Sequence, residues 1–176
     1  MDRGRDFLKS QVNNAVMQHQ TFLKNLEDHE GQAEDARFRD LCSRYIPQMR
    51  EHQRMLEQYQ QSIGAEVGAG KKALGAALGV ARDLADAARE SDFLRLVGDI
   101  VTARQSQDTF GTFAAVGSQI GEPQLAQLGE MGQRHHEQYV HDANNLVAQL
   151  FVDHVRDTAA SASASRDLGS AGHAAY

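Results

Sequence analysis

The sequence predicts an all-α fold, a bundle of four long helices with a long helical crossover between the second and the third. Apolar residues recur at steps of three and four along most of the chain, while strand-like alternation is absent. Only two prolines interrupt 176 residues, so long helices meet few breaks.

Leu8, Val12, Ala15, His19, Phe22 and Leu26 form the stripe of a first amphipathic helix, placed at about 6 to 29 and ending near Gly31. Phe38, Leu41, Tyr45, Met49, His52, Leu56, Tyr59 and Ile63 mark a second at about 35 to 62, with Pro47 expected to bend it near Ser43 to Ile46. Gly64, Gly68, Gly70, Gly75 and Gly79 then read as a loose connector, leading into a short crossover helix on Val80, Leu84 and Ala87. Ser91 and Asp92 are start signals for the third long helix, whose stripe is Phe93, Leu96, Ile100, Ala103, Gln107, Phe110 and Ala114 and whose stop is Gly121. Pro123 opens the fourth, with Leu125, Leu128, His135, Tyr139, Ala143, Leu146 and Leu150 on one face. The pattern fades after Val155. Residues 1–157 are thus one bundle domain, and 158–176, rich in Ala, Ser and Gly, read as a disordered tail.

Short connections force antiparallel hairpins, and the stretch from Gly64 to Glu90 is long enough to travel the length of the bundle. A plain up-down-up-down bundle with an added fifth helix is the alternative.

Composition narrows the function. Cys42 has no partner for an intramolecular disulfide and sits beside Leu41 and Tyr45, as a buried packing residue would. With no signal-like apolar stretch at the start and no run that would span a bilayer, the expectation is a cytoplasmic protein. A formal charge of −6 with interspersed signs argues against nucleic acid as a partner, and the lack of a spanning run argues against a membrane. Gly68-Ala-Gly70-Lys71-Lys72 resembles a phosphate loop, but Ala65 stands in place of the first glycine, Lys72 in place of Ser or Thr, and no strand precedes it.

Histidine is the anomaly. Of eight, His19, His52 and His135 fall on apolar stripes of three different helices. In a symmetric hairpin His135 faces Gln107, while His19 faces Pro47 to Met49 with His52 one turn further, so the polar positions gather near mid-bundle. Two readings stand: a metal site, since imidazole suits zinc, iron, copper and nickel, or core histidines satisfied by Gln107, Tyr45 or Tyr139. His136 and His141 lie off the stripe and are read as exposed; His154 is ambiguous, and His29 and His173 are assigned to a loop and the tail.

The run Asp108-Thr-Phe-Gly-Thr-Phe-Ala-Ala-Val-Gly-Ser-Gln-Ile-Gly121, the helix lengths, the connector and a histidine midway along helix 2 resemble the small bacterial YciF-like proteins of the ferritin-like superfamily, a family linked to stress responses. The likeness extends over about residues 8 to 150. It implies a ferritin-like four-helix bundle, a homodimer, and a di-metal centre built on carboxylates and Glu-x-x-His pairs. The residues depart from that centre. His52 matches the helix 2 histidine, but Met49 replaces its glutamate; His19 or Gln20 stands at the helix 1 ligand position, Ala103 and Ser106 at the acidic positions of helix 3, and His135 or His136 in place of the helix 4 glutamates. Glu51, Asp108, Glu130 and Glu137 are the acids near enough to substitute. The expectation is a non-catalytic, stress-associated bundle that has lost the di-iron carboxylates. The alternative is a metal-binding protein or metal-dependent oxidase using His19, His52, His135 and His136 for a single divalent ion, zinc or iron.

Overall fold

The computed structural model describes residues 3–65 and 91–171, with side chains through Arg156. The described residues are helical nearly throughout: α1 Arg3–Gln32, α2 Ala36–Ser62, α3 Asp92–Ile120 and α4 Pro123–Ala171. None of these helices is long and apolar enough to cross a membrane. The expected crossover helix and the lookalike phosphate loop lie outside the described residues, as does His173.

Local chemistry sets the boundaries. Asp35 caps α2 by accepting from the backbone N–H groups of Arg37 and Phe38, and Ser91 caps α3 through Leu94. Gly121 takes a left-handed conformation, φ 74°, to end α3, and Pro123 starts α4 where a missing N–H costs nothing. Pro47 lies inside α2, and the helix continues through it. α4 runs on to Ala171, past the end of the apolar pattern and into the segment read as a tail. That segment has almost nothing large to bury, but alanine is the strongest helix former, and local propensity alone favours extending the helix.

Cross-helix bonds give the chain directions. His29 and Gln32, near the end of α1, meet Asp99 and Arg95 near the start of α3, and Gln18 meets Thr109 further along. Arg37 of α2 reaches Asp153 of α4, Tyr45 reaches Asp142, and His52 reaches Leu128. The neighbouring pairs α1/α2, α3/α4, α2/α4 and α1/α3 are therefore all antiparallel. α2 ends at one end of the bundle and α3 begins at the other, giving an up-down-down-up order.

Burial follows the helical stripes and falls into two apolar halves. One contains Phe22, Leu26, Phe38, Leu41, Met49, Leu96, Ala103, Tyr139 and Leu150; the other contains Val12, Ala15, Leu56, Tyr59, Phe110, Phe113, Leu125 and Leu128. Each fully buried large side chain contributes about 1.5–3 kcal/mol. Helices α3 and α4 approach most closely where glycines allow it. A β-carbon on Gly117 would strike the backbone of Ala126, and one on Gly129 the backbone of Ala114 and Phe110.

Candidate metal centre

Between the two apolar halves the core turns polar. His19 of α1, His52 of α2 and His136 of α4 are each completely buried, and one nitrogen from each lies within 4.8 Å of the others. Phe110 of α3 packs against all three rings, at centroid distances of 4.6 Å from His52, 5.2 Å from His136 and 5.7 Å from His19. Phe22 closes the side next to His136.

Hydrogen bonds fix how each imidazole presents itself. His52 Nε2 is 3.1 Å from the carbonyl of Leu128, and His136 Nδ1 is 2.7 Å from the carbonyl of Gly132. A carbonyl only accepts, so both nitrogens carry the proton and donate. His19 Nδ1 lies 2.8 Å from Gln53 Oε1. The amide of Gln53 is oriented in turn by Glu57, whose carboxylate accepts from Gln53 Nε2 at 2.7 Å, so Oε1 faces His19 and Nδ1 donates. In a neutral imidazole the other nitrogen then bears a lone pair. Those nitrogens are His19 Nε2, His52 Nδ1 and His136 Nε2.

Left to themselves, these lone pairs are poorly satisfied. His136 Nε2 is buried without a hydrogen-bond partner, and His19 Nε2 stands 3.3 Å from His52 Nδ1, acceptor against acceptor. The same separation suits a cation: two nitrogens bound at about 2.0–2.1 Å to a tetrahedral ion stand about 3.3–3.4 Å apart. Outer acceptors on the distal ring nitrogens are the usual support of metal-binding histidines. Protonation is opposed: burial, reinforced by the neighbouring imidazoles, lowers His19, His52 and His136 each to about 3.

The set does not fit a carboxylate-bridged iron pair. Met49, Ala103 and Ser106 are buried in the core and carry no carboxylate. Glu51, Asp108, Glu130 and Glu137 are all exposed, so none of them substitutes, and Gln20 is exposed as well. The residues do fit one ion held by three imidazoles.

His19 and His52 meet, one turn further along α2 than the symmetric hairpin expects. His136, read as exposed, is buried at the centre, and His135 is only half-buried. The inward face of α4 runs Leu125, Leu128, Gly132, His136, Tyr139 and Ala143, and a glycine at the key step has no apolar side chain to reveal it. On α3 the buried residue is Ser106, with Gln107 half-buried. His29 belongs to α1 and bonds Asp99, while His141 and His154 are exposed.

No family model, curated protein or solved structure matches the chain. The functional reading therefore rests on the residues themselves.

Proposed function

We propose that this chain is a ferritin-like bundle that binds a single late first-row metal ion, of the zinc or copper class, through His19, His52 and His136, without di-iron redox chemistry. One observation carries the reading: three completely buried imidazoles, each with one nitrogen against an acceptor, bring one nitrogen apiece within 4.8 Å of the others, and among the described residues no N–H meets His136 Nε2. The up-down-down-up order supports the ferritin-like part, since that connectivity needs a crossover along the bundle axis. Neutral nitrogen ligands suit zinc and copper, whereas oxidised iron favours anionic oxygen, which the set lacks. A stress-associated role and a homodimer, both implied by the YciF-like resemblance, belong to the same proposal.

The test is calorimetry and elemental analysis on tag-free protein with zinc and, separately, ferrous iron, with oxygen uptake followed in parallel. One zinc per chain, lost in His52→Ala, with no rapid iron-dependent oxygen consumption, is the expected result. Absence of binding would make the trio ordinary core histidines, and two irons per chain with fast oxygen uptake would restore the di-iron reading.

A further inference from the structure

Three ligands enclosed by phenylalanines pose a problem of access. The centre is sealed by Phe22 and Phe110, and its histidines have no exposed surface. A hydrated ion does not shed all its water in one step without a replacement ligand. Among the described residues, the only other histidine beside the trio is His135, next to His136 on α4. Its ring lies 6.2 Å from that of His52, as near as the 6.3 Å between His52 and His136. Its nitrogens nevertheless fall outside the converging set. The residue is half-buried: part of the side chain meets water, while Nδ1 is buried and without a hydrogen-bond partner. A buried nitrogen left without a partner is unfavourable, and a bound cation would satisfy it.

We propose that His135 is the solvent-side ligand of this centre: it takes an incoming metal ion from water and passes it to His19, His52 and His136, and it accepts the ion first on the way out. The proposal rests on the metal reading of the trio. Coordination by His135 replaces one water of a divalent ion before the buried nitrogens replace the others, so the hydration shell is exchanged stepwise. A ligand of this kind lowers the barrier in both directions and leaves the final bound state unchanged. His135 therefore governs rates, whereas the trio governs affinity.

Cobalt(II) is the probe, because tetrahedral nitrogen coordination gives it visible absorption. Uptake by metal-free protein and removal by excess chelator are followed by stopped flow in the wild type, in His135→Ala and His135→Gln, and in His141→Ala as an exposed-histidine control. The expected result is that both His135 variants slow uptake and release alike, by about tenfold or more, with unchanged stoichiometry, spectrum and dissociation constant. The control should behave as the wild type. Unchanged rates would overturn the proposal, and so would a changed spectrum or a weakened affinity, which would make His135 a resident ligand. Failure of the wild type to bind cobalt would instead remove the metal reading itself, and the role of His135 with it.

Discussion

The imidazole of His29, near the end of α1, stands 2.8 Å from the carboxylate of Asp99 on α3. Asp99 is almost fully buried, its Oδ1 has no hydrogen-bond partner, and its remaining neighbour is the hydroxyl of Tyr139 at 3.5 Å. Burial raises its pKa above the ordinary carboxylate value, against the opposing pull of His29.

Removing His29 should therefore cost more than removing the acid. His29→Ala strands a buried carboxylate and should lose about 3 kcal/mol at pH 7, whereas Asp99→Leu removes the charge together with its need for a partner and should lose less. The native state holds the Asp99 proton longer than the unfolded chain, so this group favours folding at low pH and that advantage is lost as pH rises through its folded pKa. The deficit of His29→Ala should consequently shrink toward pH 5. Urea titrations of both variants at the two pH values decide the matter, and a larger loss for Asp99→Leu would contradict it.

Metal-free protein should weaken steadily in acid. His19, His52 and His136 are held neutral down to about 3, against 6.5 when unfolded, so the unfolded chain binds more protons throughout that window. Stability from these groups is intact above pH 6.5 and is lost as pH falls through the window, by about 2 kcal/mol per imidazole between pH 6.5 and 5. Denaturation midpoints across this range test it; a flat profile would mean that the imidazoles are already hydrated or charged.

Two glycine-to-alanine changes should have opposite signs. Nothing lies within 4 Å of a β-carbon on Gly98, so Gly98→Ala should stabilise α3 by about 0.5–1 kcal/mol through helix propensity. On Gly132 the added carbon meets His52 Cε1 and the Phe110 ring, so Gly132→Ala should lose about 1–3 kcal/mol and weaken metal binding. Thermal melts of the two proteins provide the comparison.

Helix boundaries were legible wherever capping chemistry marks them, as at Ser91, Gly121 and Pro123. Inward faces were legible wherever they are apolar, as in α2. They were hidden where the inward residue is glycine or polar. The buried face of α3 steps through Leu96, Asp99, Ala103, Ser106, Phe110, Phe113 and Gly117, an alternation of three and four that polar Asp99 and Ser106 conceal. Gly132 concealed the inward turn to His136 in the same way. Sequence spacing placed His52 within about a turn of the level of His19, but the lone-pair geometry depends on Leu128, Gly132 and Gln53 acceptors that spacing does not reveal.

His19 and His52 belong to the first hairpin, whereas His136 belongs to the second. Each hairpin closes a short loop, so each should form early at little loop-closure cost, with their docking as the later, non-local step. An ion bound across the trio bridges that docking surface and has no equivalent site in either hairpin alone. It should act chiefly on escape from the native state, slowing unfolding while leaving the early rate of hairpin formation untouched.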